Sequence, residues 1–489
     1  MHIRHKGFLI SILLAIFFST TGFSCTFFQP KAATQEATRP IELTLWGVFD
    51  EEGSFDSLIG AYRAQHPNVS VSYRKFRLEE YENEILQALA EDRGPDIISL
   101  PNTWVDRYGN KLLPMPPVMR IGFQVTKGQI KKVTESEIRE VPGYTPRDVR
   151  TAFLDTVGED VLRPVQGGEA IFALPFSVDT LALFYNKTLL RNTGVIIGPP
   201  KYWAVSDDDP EGPQKKALFQ DFVSQVQSNR LTVIDPNTTQ LVQSGAAFGA
   251  AKNIQRSADI VATLMMQNGA QMNGPDGVNF DYDKNEPRPL PINPGVDALR
   301  FYTDFASPVK QVYTWSEDMP DSLEAFAQGR TAMFFGYSYH AQQLQARAPQ
   351  LKVGIVPIPQ INPLRPAVAA NYWVYGVSKK SRNSDYAWDF LRFSTQPENL
   401  KRYLSAAKRP TALKALIEGQ KQDAELEPFA SQLLFARSWY HGKNPASMEQ
   451  AFQDMITDAL SAKGASVDEE RARLTTAMEK ARQVIQNGW

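Results

Sequence analysis

Residues 171–190 read IFALPFSVDTLALFYNKTLL. The apolar runs IFAL and LALFYN flank an insert, Pro175 to Thr180, that contains Asp179. A continuous buried strand does not carry an aspartate at its centre, because burying an unpaired carboxylate is costly. A surface loop is not this apolar. Which structures own the two runs, and what Asp179 does between them, decides the architecture.

Upstream of this stretch the pattern is regular. IELTLWGVF, from Ile41, alternates as a strand and opens into the polar loop DEEG. Ser54 is placed to cap a helix whose apolar residues Phe55, Leu58, Ile59 and Tyr62 share one face, and His66-Pro67-Asn68 ends it. Val69, Val71 and Tyr73 alternate again. A second amphipathic helix carries Tyr81, Ile85, Leu86 and Leu89 and closes at Gly94-Pro95, before the apolar run DIISL of a buried parallel strand. Strand, helix, strand, helix, strand predicts an α/β fold, and ligands of such sheets bind beyond the carboxyl ends of the strands. Those ends are Trp46–Asp50 and Pro101–Trp104. Between Pro114 and Pro146 no period emerges, and from Asp385 onward the chain reads as largely helical.

The chain has 489 residues, more than one core accommodates, since single cores stop growing at about 250–300 residues. A net charge of −2 and no basic stripe give no electrostatic footprint for nucleic acid. Asp281-x-Asp283-x-Asn285 begins like a calcium loop, but Glu286 replaces the required glycine and Ile292 the bidentate glutamate, so no metal is expected. HExxH, GxSxG and phosphate-loop motifs are absent, and the five histidines include two in the N-terminal segment. No cofactor is expected.

The N-terminus reads as a secretory signal over residues 1–25: His2, Arg4, His5 and Lys6, then FLISILLAIFF, then small and polar residues to Ser24-Cys25. Cys25 is the single cysteine and stands where cleavage would fall, resembling the lipobox of bacterial lipoproteins, although Gly22 occupies a position where a leucine is usual. Lipidation of Cys25 would make residues 26–39 a tether; an uncleaved anchor is the alternative. Both leave the body outside the cytoplasm, and neither provides a disulfide.

Four stretches, in order, resemble extracellular solute-binding proteins of ABC importers, in the class of the maltose-binding protein. ALPFSVDTLALFYNKTLL resembles that family's first interlobe crossing, and SGAAFGAAKNIQRSADIVATLMMQNGAQM a segment of its second lobe. AFAQGRTAMFFGYSYHAQQLQ resembles an element returning to the first lobe, and NYWVYGVSKKSRNSDYAWDFLRFSTQPENLKRYL the final crossing with its helices. The resemblance implies a type II periplasmic-binding-protein-like fold: two discontinuous α/β lobes with a solute cleft between them. It places the crossings near 176–182, 305–312 and 366–373, the first lobe at 40–177 plus 307–366, and the second at 178–306 plus 367–489. The two apolar runs then belong to different lobes, with Asp179 on the cleft floor as ligand acceptor or brace.

Under that resemblance the expected ligand contacts are Trp46, Asp50 and Glu51 after the first strand, Asn102 and Trp104 after the third, Asp179, Tyr337 beside a helix that Ser338 would cap, and Tyr372 and Trp373 at the last crossing. Flat rings stack on sugar faces while carboxylates and amides hold hydroxyls. Phe248, His340 and Arg409 are weaker candidates. The implied partners are a small solute, a sugar first, and the membrane subunits of an importer; the implied state is a monomer on the outer face of a bacterial membrane. No catalytic residue is expected. The rivals are an exported glycan hydrolase, whose two carboxylates need no fixed spacing, and a binding protein serving a sensor or adhesion role.

Overall fold

The computed structural model describes residues 36–127, 133–192, 199–205, 212, 214, 221–227, 231–274, 277–281, 293–461 and 466–488. The signal-like segment with Cys25 and most of the calcium-loop-like stretch lie outside the described residues.

Strand β1 (Ile41–Gly47) buries Ile41, Leu43 and Leu45 by alternation and is followed by helix α1 (Asp56–Gln65), strand β2 (Val69–Lys75), helix α2 (Leu78–Ala90) and strand β3 (Ile97–Pro101). β1 pairs in parallel with both β2 and β3, as the strand–helix alternation requires. Two local expectations fail. Ser54 lies inside a 3₁₀ turn, Glu52–Phe55, so Phe55 occupies the N-cap of α1 and no side chain caps it. Leu86 is exposed, because the buried face of α2 runs through Tyr81, Ile85 and Leu89.

Strand β4 (Leu112–Leu113) edges this sheet. The stretch without a readable period holds a long antiparallel hairpin, β5 (Val118–Lys127) and β6 (Val133–Pro142), followed later by helix α3 (Asp155–Val161). IFAL leads into β7 (Leu174–Pro175), which belongs to the first sheet; β8 (Asp179–Thr180) follows, and then β9 (Ala182–Asn186). β9 is the middle of a separate sheet, between β10 (Met333–Gly336) and β11 (Val353–Pro357), antiparallel to both. Helices α4 (Ser257–Gln267), α5 (Pro294–Asp304) and α6 (Ser338–Arg347) belong to the same half of the chain. The two apolar runs therefore belong to different sheets.

Beyond β11 come β12 (Val368–Asn371), β13 (Trp373–Ser378), helices α7 (Ser384–Ser394) and α8 (Pro397–Ala407), β14 (Ala436–Arg437), and helices α9 (Pro445–Leu460) and α10 (Val467–Asn487). β13 returns to the first sheet, antiparallel to β3 and β7, completing the order β2-β1-β3-β13-β4. β8, β12 and β14 form a sheet of their own, with Asp179 opposite Asn371 and Val368 opposite Ala436. One hydrophobic core gathers residues from Ile41 to Val178 and again from Tyr372 to Leu433; a second gathers Leu181 to Ala369 and again Ala436 to Ile485. The chain thus passes between two cores three times, once through each strand of that small sheet.

This division corrects the expected lobes. Residues 307–366 pack with the second core and with a small cluster around Phe184 and Phe334, not with the first, and 372–433 pack with the first, apart from Phe429, which joins that small cluster. Phe305 and Ala306 are buried within the second core, so there is no crossing near 305–312, and a crossing near Ala436 stands in its place. AFAQGRTAMFFGYSYH never leaves the second lobe, because Met333–Gly336 pairs with β9. A four-residue apolar strand has the same pattern whichever sheet receives it.

Candidate functional site

Asp179 opens β8, on the strand triplet that joins the lobes. Its Oδ1 accepts the Thr180 N–H at 2.9 Å, and its Oδ2 accepts the N–H of Ser338 at 2.9 Å and the Ser338 hydroxyl at 2.6 Å. Ser338 is the first residue of α6 and Tyr337 its N-cap, so Asp179, from another element, satisfies a free donor at that helix end. The residue keeps part of its surface exposed, but protein encloses the carboxylate, and this desolvation pushes its pKa up to about 7 against the Ser338 and Thr180 hydrogen bonds and the Arg409 charge.

The first lobe contributes the loop after β1. Phe49 is 49% exposed and meets Trp373, the half-buried first residue of β13, at 5.2 Å between ring centres and 87°. Asp50 is buried; its carboxylate accepts the Tyr375 hydroxyl at 2.9 Å and the Tyr403 hydroxyl at 2.6 Å and pairs with Arg409 at 3.3 Å. Arg409 lies near enough to Asp179 for their charges to interact. From the second lobe comes Tyr339, 41% exposed, stacked on Tyr337 at 6.0 Å and within the field of Asp179 and Arg256. Arg256, left-handed at φ 60°, precedes α4 and pairs with Asp259 at 2.7 Å.

The expected residues fall into three groups. Asp50 and Asp179 share the charge of Arg409, and Trp373 meets Phe49, the neighbour of Asp50. Trp104 lies half-buried just beyond β3, with one face stacked on Tyr108 at 5.6 Å and 5° and Arg107 at 5.5 Å. The others are structural in this arrangement. Trp46 is 9% exposed and packs on Phe76 at 4.6 Å, with Arg74, its partner on β2, over its ring at 5.3 Å. Glu51 is exposed and pairs with Lys75 at 2.5 Å. Tyr337 is fully buried, its hydroxyl donating to Asp259 at 2.7 Å. Asn102 and Tyr372 both donate to Asp160 Oδ2, at 2.9 and 2.5 Å, and Asn102 also reaches the Ser438 hydroxyl at 2.9 Å, knotting β3 and α3 to the third crossing.

Among the weaker candidates, Phe248 is buried in an aromatic cluster with Trp203, Phe222 and Phe335. His340 is also buried; its Nδ1 accepts the Tyr337 N–H at 2.9 Å, Nε2 faces Gln255 Oε1 at 3.0 Å, and burial lowers its pKa to about 3, so it is neutral. Sequence reasoning missed Phe49, Tyr339 and Asp160. The alternation of β1 did carry a signal for Phe49, since a ring two residues past the last buried strand position has no sheet to pack on.

Among the described residues, no group of three or more histidine, cysteine or acidic side chains is arranged to hold a metal ion, and no helix is long and apolar enough to cross a membrane. A cavity of about 390 Å³ between α1 and the β5–β6 hairpin, lined by Ala64, Gln65, Pro67, Phe123, Gln124 and Thr134, shares no residue with the cleft.

Two α/β lobes joined by three crossings, with rings and carboxylates on the floor between them, define a two-lobed binding protein. The chain belongs to the bacterial extracellular solute-binding protein family, whose profile matches residues 57–428. Its fold is similar to that of the cyclic α-maltosyl-1,6-maltose binding protein of Arthrobacter globiformis (TM-score 0.66, 18% identity, 92% of this chain and 100% of that one). It is similar also to the maltose-binding periplasmic protein of Listeria monocytogenes in complex with maltose (0.65, 14%, 92% and 99%). A third similar structure is an ABC transporter solute-binding protein of Thermotoga lettingae bound with α-D-tagatose (0.59, 16%, 91% and 100%). The type II periplasmic-binding-protein fold expected from the sequence is the fold observed.

Proposed function

We propose that this protein captures a sugar or oligosaccharide between its lobes and delivers it to an ABC importer from the outer face of a bacterial membrane, to which lipid on Cys25 would tether it as a monomer. What supports the sugar reading is the set of rings beside the interlobe strands: Phe49, 49% exposed, against half-buried Trp373 on the first lobe, and Tyr339, 41% exposed, next to the Asp179 partner Ser338 on the second. Rings of this kind stack on the apolar faces of pyranoses. The nearby cations support a neutral ligand, because Arg409 is paired with Asp50 and Arg256 with Asp259. The three similar structures reported above bind maltose-type sugars or tagatose, which agrees with that chemistry.

Capture without turnover fits the same residues. Asp50 and Asp179 are each engaged by three protein donors, where a hydrolase needs one carboxyl free to protonate a leaving group and another to act on the ring or on water. Ligand would stabilise a closed arrangement by touching both lobes, since a ligand seen equally by both arrangements shifts nothing. The test is a thermal-shift screen of purified residues 40–489 against sugars, polyols, amino acids, peptides and phosphorylated solutes. A true ligand at 100-fold over its Kd adds about 2.7 kcal/mol. Shifts with an amino acid or peptide and none with any carbohydrate would overturn the sugar reading, and release of reducing ends from a glycan would overturn binding without turnover.

A further inference from the structure

The loop from Val48 to Glu51 is held more firmly than a strand-to-helix connection requires. The carbonyl of Phe49 accepts Nη2 of Arg409 at 3.1 Å, and the carbonyl of Asp50 accepts the Tyr73 hydroxyl at 3.0 Å. The Asp50 carboxylate takes the Tyr375 and Tyr403 hydroxyls and the Arg409 guanidinium. These donors come from β2, β13, α8 and the turn after α8, where Lys408 is left-handed at φ 54° and turns the chain so that Arg409 follows directly. All of them converge on two residues, and between the anchored backbone and the cleft stands one side chain, Phe49, against Trp373.

We infer that Asp50 and Arg409 are positioning residues that fix the backbone of Phe49, hold its ring against Trp373, and so set how much of the Trp373 ring a ligand can reach. The inference rests on the proposed function only in taking Trp373 as a ligand surface. Phe49 is then the specificity-determining wall of that surface: in place it limits the platform, and displaced it opens the platform to a longer or bulkier solute. Arg409 suits this task because its planar fork reaches a carboxylate and a carbonyl at once, which a lysine ammonium does not do with fixed geometry. The Tyr375 and Tyr403 contacts of the Asp50 carboxylate are buried and therefore unforgiving of a lost partner.

The test needs no ligand. Acrylamide quenching of Trp373 fluorescence is taken as the difference between each protein and the same protein carrying Trp373→Phe, for the wild type and for Phe49→Ala, Arg409→Met, Arg409→Lys and Tyr403→Phe. Phe49→Ala and Arg409→Met are each expected to raise the quenching constant of Trp373 about twofold, as loss of one covering ring implies. Arg409→Lys keeps the charge and is expected to rise nearly as far. Tyr403→Phe removes one hydroxyl, gives a smaller rise, and carries the test if Arg409→Met does not fold. Wild-type quenching in Arg409→Met, or in Tyr403→Phe where the former is unfolded, overturns the inference. So does full restoration by Arg409→Lys, which would make the role one of charge alone. Failure of every carbohydrate to bind would overturn the proposed function and leave the quenching result standing.

Discussion

Replacing Asp179 with asparagine should reverse its effect on stability between pH 3.5 and pH 8. Burial raises the carboxyl to about 7 from its ordinary value of 3.8, despite the hydrogen bonds from Ser338 and Thr180. A raised acid binds its proton more tightly in the folded state, so folding is favoured below the unfolded pKa and that contribution is lost as pH rises through 7. A displacement of roughly three units is worth about 4 kcal/mol once the group is fully ionised. Asparagine escapes this cost, and its oxygen can still take the N–H and hydroxyl of Ser338. Its amide nitrogen, however, then faces the Thr180 N–H that Oδ1 accepts at 2.9 Å. Two donors in opposition cost about 1–3 kcal/mol. At pH 3.5, below the unfolded pKa, Asp179 is protonated in both states, only the second effect acts, and Asp179→Asn should be the less stable protein. At pH 8 the first effect exceeds the second, and the variant should be the more stable by about 1–3 kcal/mol. Parallel denaturant titrations of both proteins across this range measure the difference, in which every other titrating group cancels. A difference that does not change with pH would refute the reasoning, and one that grows in favour of wild type above pH 7 would mean that the ionised carboxylate is stabilised by its donors more than burial penalises it.

Trp373→Ala and Tyr339→Ala should each weaken solute binding by about 1–3 kcal/mol while the circular-dichroism spectrum stays that of the wild type; unchanged calorimetric affinity in both would remove these rings from the site. His340→Ala should cost about 2–3 kcal/mol, because it leaves the Tyr337 N–H without its acceptor inside the core. The pKa of His340 is lowered to about 3, so its contribution to stability is present above pH 6.5 and lost as pH falls toward 3, a loss the variant should lack when the two are melted side by side from pH 7 to pH 4. Gly249→Ala should destabilise the second lobe by at least 2 kcal/mol in a denaturant titration, since φ is 108° and a Cβ would stand 2.7 Å from the Ala306 nitrogen.

The first lobe was legible where its strands and helices obey one period each. β1, β2, β3, α1 and α2 all arise from alternation or from a helical stripe that meets the sheet. The hairpin β5–β6 was not, because its outer residues Glu135, Glu137, Arg139 and Glu140 and its prolines at either end mask the alternation that buries Met119 and Ile121. Which lobe receives a late strand was equally hidden. MFFG and WVYGVS are both apolar, both short and both preceded by polar residues, yet one pairs with β9 and the other with β3. Pairing partners are a long-range property, and period-2 alternation specifies a buried face without naming the neighbour.

For the site, residue type was legible and hydrogen-bond partner was not. Asp50 follows Phe49 and Asp179 lies three residues after Phe176, while Asp160 and Asp259 have no aromatic neighbour in sequence, and none of the four announces its partner. In the fold, Asp259 takes Tyr337 and Arg256, Asp160 takes Tyr372 and Asn102, and Asp50 takes Tyr375, Tyr403 and Arg409. Each of these three carboxylates has thus drawn in at least one tyrosine, and two of those tyrosines, Tyr337 and Tyr372, are residues the sequence offered as ligand contacts. The same physics decides all three pairings, because a buried charge needs donors and a buried phenol needs an acceptor. Asp179 differs because its donors are the N–H and hydroxyl of Ser338 at a helix end and the N–H of Thr180 on its own strand, so no tyrosine hydroxyl is drawn onto it. A carboxylate satisfied by a helix end and by its own strand therefore braces the crossing without consuming a phenol from either lobe.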